Sequence, residues 1–169
     1  MALIIEDGSI VADANSYATA AELVAWAESV GETYPATEAE QEQLLLQSMF
    51  MFYEYCWVGT RVSSDQTLDF PRSGMLVNGF YFPSDEIPED IKTAQMSWAI
   101  TANTNDLFPS QSAGSGDVIE ERVEGAITIK YETGTSGRDI ASDPRANAVI
   151  SEYRCNSGRG GLIGFGIRA

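Results

Sequence analysis

The chain has no histidine in 169 residues, and that absence removes a tier of chemistry. No Ser–His–Asp or Cys–His arrangement can be built from it, and no metal can be held through imidazole. Cysteine is nearly as scarce. Cys56 and Cys155 form no CxxC pair and stand far apart in sequence, which argues against a structural zinc site. A disulfide between them stays open, but no secretory context favours one, and both are read as reduced, helix-borne apolar residues. Basic residues are few: 10 Lys and Arg face 25 Asp and Glu, for a net charge of −15 and a pI of about 4.1. Such a surface repels free nucleic acid, whose affinity for proteins comes mainly from Lys and Arg at the phosphates. It also keeps a protein dispersed before it meets a partner. Long apolar runs are missing too, since nothing approaches the roughly 20 residues needed to cross a bilayer. Leu3-Ile4-Ile5 is too short for a secretory core and follows no basic region. The expectation is a soluble protein with no membrane partner.

What is present is enough for a core. A 44% hydrophobic and 10% aromatic composition excludes wholesale disorder, and the length suits one domain with an extended arm. Residues 2–14 read as a short strand-like start with a turn at Asp7-Gly8. Asn15 or Ser16 can cap a helix that begins near Tyr17, carries Ala20, Leu23, Val24 and Ala27 on one face, and ends at Gly31. Thr37-Glu38-Ala39-Glu40 has the form of a capping box for a second helix. Beyond Leu44 that helix is apolar over so wide an arc, from Leu44 to Trp57, that it must be buried on more than one side or meet another subunit. Val77–Pro83 is rich in aromatics, and Ile87-Pro88-Glu89-Asp90-Ile91 opens a third helix with Pro88 at its first position. Residues 107–116 read as a loop and hinge. Ile119, Val123, Ile127, Ile129 and Tyr131 share one parity, so residues 118–131 predict a long strand or hairpin. Asp143-Pro144 caps a last short helix running to about Arg154.

These elements predict a mainly α protein: a small bundle of about four helices, a β-strand or hairpin insertion around 118–131, and an extended C-terminal arm. Residues 1–156 form the domain and residues 157–169 the arm. The arm holds five glycines interleaved with Leu162, Ile163, Phe165 and Ile167, and from Arg154 onward there are three arginines and no acid. Glycine loses the most entropy on ordering, so such a segment needs a partner to bury its apolar residues.

No catalytic, cofactor or metal site is read. The acid pairs Glu38/Glu42, Glu86/Asp90 and Glu120/Glu121 are what a chain with 25 acids produces by chance. Ser157-Gly158-Arg159-Gly160-Gly161 has no Walker lysine after it and no strand-to-helix setting. The candidate binding residues are of another kind. Arg61 and Arg72 flank an aromatic connector and either pin it through Asp65 or Asp69 or bridge to an adjacent subunit. Trp57 and Phe70 are core anchors in either case. Arg159, Leu162, Ile163, Phe165, Ile167 and Arg168 complete the set as arm contacts.

Glu6-Asp7-Gly8-Ser9 leading to Ala14-Asn15-Ser16-Tyr17, then Trp57-Val58-Gly59-Thr60-Arg61, Phe70-Pro71-Arg72-Ser73-Gly74 and Ile87-Pro88-Glu89-Asp90-Ile91-Lys92-Thr93-Ala94 occur in that order. Over residues 3–155 the chain resembles a family of small tailed-bacteriophage proteins, often labelled "putative DnaT-like single-stranded DNA-binding protein", whose members look like head–tail connector adaptors. Tryptophan is common in that pattern where this chain has Phe70. The resemblance implies a mainly helical subunit of a dodecameric ring docked on the portal protein, made in the host cytoplasm and carried in the virion. Its ring would extend the DNA channel, let genomic DNA pass without specific binding, and offer a platform to the tail or next connector protein. By analogy the arm would embed in the portal. The rival expectations are a single-stranded DNA-binding module and another head- or tail-completion component; positive grooves with stacked aromatics are what the first of these requires.

Overall fold

The computed structural model describes residues 2–109, 118–123, 127–131 and 140–155. Helix α1 (Ala20–Val30) is capped by Thr19, whose hydroxyl accepts from the Glu22 amide while the Glu22 carboxylate accepts from the Thr19 amide. It starts later than the Asn15/Ser16 cap predicts. The amides of Tyr17 and Ala18 are taken by the Gln95 side chain instead, at 2.9 and 3.1 Å, which holds that stretch extended. Gly31 closes the helix in the left-handed region, with φ 74°, as expected.

Helix α2 (Glu38–Ser48) is capped by Thr37, as the motif predicts. The long apolar helix expected to run on to Trp57 is not formed. After Ser48 the chain tightens into a 3-10 segment, Met49–Glu54. Side chains three apart eclipse in that geometry, so Met49 and Phe52 turn inward, whereas Phe50 and Tyr53 stand 60% and 65% exposed.

Four two-residue strands follow. β1 (Thr60–Arg61) pairs antiparallel with β2 (Arg72–Ser73), and β3 (Leu76–Val77) with β4 (Phe80–Tyr81). Asn78 and Gly79 both have positive φ and make the tight turn of the second ladder, the conformation that Asn-Gly favours. Helix α3 (Glu89–Thr104) is central, with Ile91 and every residue from Ala94 to Ile100 buried. β5 (Val118–Val123) and β6 (Ile127–Tyr131) pair antiparallel, the second of the two forms, long strand or hairpin, that the sequence predicts there. Helix α4 (Pro144–Val149) is capped by Asp143, which accepts from the amides of Arg145 and Ala146 at 3.0 and 3.2 Å. The other Asp143 oxygen takes the hydroxyls of Ser97 and Thr101 at 2.7 and 3.0 Å, tying α4 to α3.

The mainly α bundle is therefore corrected. Less than half of the described residues are helical, and three two-stranded antiparallel ladders are present among them. The larger of two core clusters draws Ala14, Tyr17, Trp57, Leu68, Phe70, Met75, Ile87 and Leu107 from outside the α-helices. A second cluster, with Leu23, Ala27, Leu44, Leu45, Met96 and Ala99, is helix on helix. The connector is thus a wall of the core rather than a loop between helices.

The cysteine reading is corrected as well. Cys56 and Cys155 form a disulfide across a sequence separation of 99, with Cα atoms 5.2 Å apart. Neither sits in a helix: each follows a 3-10 turn, where an antiparallel bridge between Trp57 and Arg154 brings the two stretches together. Chain separation hid a pairing that the return of the C-terminal stretch to the connector creates.

Candidate functional site

Two arginines hold the connector that follows the 3-10 segment. The Arg72 guanidinium donates to the carbonyls of Trp57, Val58, Gly59 and Asp69 at 3.2, 2.8, 2.8 and 3.1 Å. Burial lowers its pKa from the ordinary arginine value, with the Asp69 carboxylate acting in the opposite direction. Gly59 lies so close beneath the second strand that a Cβ there would meet the Ser73 carbonyl at 2.5 Å, and its φ is 72°. Arg61 donates to the carbonyls of Thr67 and Leu68 and lies 3.6 Å from Asp69. Asp65 takes no part, bonding instead to Ser63 and Ser64.

Under this clasp lies a nest of rings. Trp57 packs on Phe70, Phe52 and Tyr55 at centroid distances of 5.3, 5.6 and 5.6 Å, and its indole N–H donates to the Phe52 carbonyl. Tyr17 is edge-on to Phe52 and Phe70, and its oxygen accepts from the Phe70 amide at 3.0 Å. Burial pushes the Tyr17 hydroxyl far above the usual tyrosine range. Tyr55 stacks on Trp98 at 5.7 Å and carries the Arg154 guanidinium over its ring, 4.5 Å from the centroid. Burial raises the Tyr55 pKa, and the Arg154 charge works against that rise.

The expected residues thus divide. Trp57 and Phe70 are core anchors, and Arg61 and Arg72 pin the connector through Asp69 and backbone carbonyls. Arg159, Leu162, Ile163, Phe165, Ile167 and Arg168 lie outside the described residues. What sequence reasoning did not single out is the exposed set. Leu76, Phe80 and Tyr81 on the β3–β4 ladder are 54%, 78% and 82% exposed, and Phe50 and Tyr53 line an open groove with Glu54 and Phe108. A usable signal was present in the first case: aromatics immediately after Asn78-Gly79 belong on a tight hairpin with no room beneath it.

The electrostatics are one-sided. No Lys or Arg precedes Arg61. Every cation whose side chain is described is already engaged: Arg61 and Arg72 as above, Lys92 with Glu22 and Glu89, Arg145 with Glu32, and Arg154 over Tyr55. Among the described residues no group of three or more Cys, Asp or Glu is placed to hold a metal ion, and no helix is long and apolar enough to cross a membrane.

Replacing Arg72 by lysine tests the clasp. A single ammonium cannot reach four carbonyls that a planar fork spans, so the change is expected to cost about 2–3 kcal/mol. Urea unfolding of Arg72→Lys checks it, and a loss under about 0.5 kcal/mol would mean the connector is held by its rings alone.

Fold and surface together define a small acidic domain whose described cations are all engaged within the chain and that displays aromatic side chains on a hairpin and a 3-10 turn. A family model described as "Putative DnaT-like ssDNA binding protein" matches residues 1–167, and the chain belongs to that family. No curated protein and no solved structure gives a significant match.

Proposed function

We propose that the chain works through protein docking, as a structural virion subunit: a head-to-tail adaptor that assembles into an oligomeric, dodecameric ring under the portal. Such a ring extends the DNA channel, offers an attachment platform to the tail or next connector protein, and lets the genome pass without specific binding. The observation that carries this reading is the pairing of exposed aromatics with engaged cations. Phe50 and Tyr53 stand exposed on the 3-10 segment, and Phe80 and Tyr81 on the β3–β4 ladder. A closed ring needs two unlike, complementary patches per subunit, and these are unlike: a protruding hairpin and an open groove. Exposed apolar patches mark protein contacts, and acidic channel walls repel phosphate. The arm, residues 157–169, would dock on the portal.

A second reading has a specific observation behind it, the family's own description as DnaT-like and single-stranded-DNA binding. Phe80 and Tyr81 would serve it as stacking faces, since bases stack on exposed rings. The charge distribution opposes it, because backbone tracking needs free cations and the five described side chains of that sign are already paired.

Sedimentation of the purified protein separates the two: alone, with purified portal rings, and with a labelled single-stranded oligonucleotide at physiological salt. The adaptor reading expects co-migration with the portal and none with the oligonucleotide. It also expects a chain truncated after residue 156 to stay folded yet lose portal binding. Oligonucleotide binding without portal binding would transfer the function to the second reading. Co-sedimentation of the truncated chain as strong as that of the full chain would remove the arm from the interface.

A further inference from the structure

We infer that Asn78 is a self-modification site: the Gly79 amide displaces its side-chain nitrogen, and the product changes the aromatic hairpin at whose turn it sits. Asn78 and Gly79 are the two turn residues between β3 and β4, with φ of 51° and 85°. Both are exposed. Glycine sets no side chain beside its own nitrogen, and a Cβ built on Gly79 would meet nothing within 4 Å, so the approach is open. Among the described residues no hydrogen bond holds the Asn78 side chain or the Gly79 amide. The other described asparagines are engaged or crowded. Asn15 accepts from the Ile4 amide, Asn105 donates to the Thr104 hydroxyl, and Asn147 accepts from the Tyr55 hydroxyl, at 2.8, 3.0 and 3.0 Å. Asn103 lies inside α3 and precedes Thr104, whose branched side chain crowds the amide that would attack.

The step needs only water. The Gly79 nitrogen gives up its proton and bonds to the side-chain carbonyl carbon of Asn78. The bond from that carbon to the side-chain nitrogen breaks, and the nitrogen takes a proton and leaves as ammonia. A five-membered succinimide remains. One water then opens it at either carbonyl, with no change of oxidation state. Opening at the backbone carbonyl leaves isoaspartate, in which the main chain runs through the former side chain; opening at the other leaves aspartate. Both products ionise. Residues 73–84 hold no charged side chain, so the new carboxylate is the first charge in that run. Isoaspartate also adds a methylene to the backbone inside a two-residue turn, whose twist sets the pairing of Val77 with Phe80 and of Leu76 with Tyr81. The longer turn loses that register, and with it the display of Leu76, Phe80 and Tyr81, the exposed side chains of the ladder. The chain thus carries a limit on how long its hairpin keeps its native shape, whatever partner the hairpin meets.

The test is ageing of the folded full chain in mildly acidic and mildly alkaline buffer, followed by peptide mass mapping that separates aspartate from isoaspartate. Asn78 is expected to convert at least about tenfold faster than Asn103 or Asn105, because only its attacking nitrogen belongs to glycine. Conversion is expected to be faster in the alkaline buffer, since the Gly79 nitrogen must lose its proton. Amide exchange reads the consequence: the Phe82 amide, which donates to the Met75 carbonyl at 3.0 Å, is expected to exchange at least about threefold faster in aged than in fresh protein. Asn78→Gly removes the reacting amide and keeps a turn that Gly-Gly also favours, so its Phe82 exchange is expected not to change with age. Should that variant fail to fold, fresh and aged wild type from one preparation carry the same comparison. Asn78 surviving as long as Asn103 and Asn105 overturns the site. Phe82 exchange unchanged after conversion, or ageing equally in Asn78→Gly, overturns its effect on the hairpin.

Discussion

Trp57→Ala is expected to lower the stability of the isolated subunit by about 3–5 kcal/mol, a large share of the total for a domain this size. The indole is 5% exposed and meets three other rings, so its removal leaves a cavity walled by side chains that cannot all collapse inward. The loss is compounded at the backbone, because the Phe52 carbonyl within the 3-10 segment accepts the indole N–H at 3.1 Å. Urea or thermal unfolding of the monomer measures the effect. A loss under about 1 kcal/mol would contradict the burial and place the ring's contribution in a subunit contact instead. The rigid connector is what presents the β3–β4 aromatics, so a weakened Trp57 site should also loosen that hairpin. Faster exchange at the Phe82 amide, which donates to the Met75 carbonyl at 3.0 Å, would report it.

Gln95→Ala is expected to cost about as much, roughly 3–5 kcal/mol, for a different reason. Gln95 is fully buried on α3 with all of its hydrogen-bonding capacity used. Its carbonyl oxygen accepts from the amides of Tyr17 and Ala18, and its amide nitrogen donates to the Ser16 hydroxyl and the Leu45 carbonyl at 2.8 and 3.2 Å. One side chain therefore joins α3, α2 and the segment ahead of α1. Truncation leaves the Tyr17 amide buried without its acceptor, and the penalty is the desolvation of that group rather than the loss of a methylene. Gln95→Glu is expected to be no milder, since it retains the acceptor but brings a charge into a dry site and removes two donors. Denaturant midpoints of both variants check the argument; a glutamate variant as stable as wild type would mean water reaches this position.

Much of the local structure was legible beforehand because it depends on neighbours in sequence. The Thr37 cap, the Gly31 stop, the Asp143-Pro144 start and the 118–131 hairpin each rest on residues within a few positions of one another. The failures share a cause. The α2 pattern predicts helix to Trp57 because apolar periodicity does not distinguish an α-turn from a 3-10 turn over six residues. The Asn15/Ser16 cap was misplaced because Gln95, 78 residues from Tyr17, claimed the backbone there. The site divided in the same way. Trp57 and Phe70 were recognisable as anchors by type, whereas the exposure of Phe50, Tyr53, Phe80 and Tyr81 depends on which direction a tight turn faces.

By itself, then, the sequence determined the absence of imidazole chemistry, the strong acidic balance, the apolar content that demands a core, and the caps and turns written in short motifs. Only the tertiary structure decided that the connector is a core wall clasped by Arg72, that Cys56 meets Cys155, and that the described cations are engaged internally. The physical reason is range. Propensity and capping act over a single turn of chain, but burial, disulfide pairing and the occupation of a guanidinium depend on groups far apart in sequence that packing alone brings together.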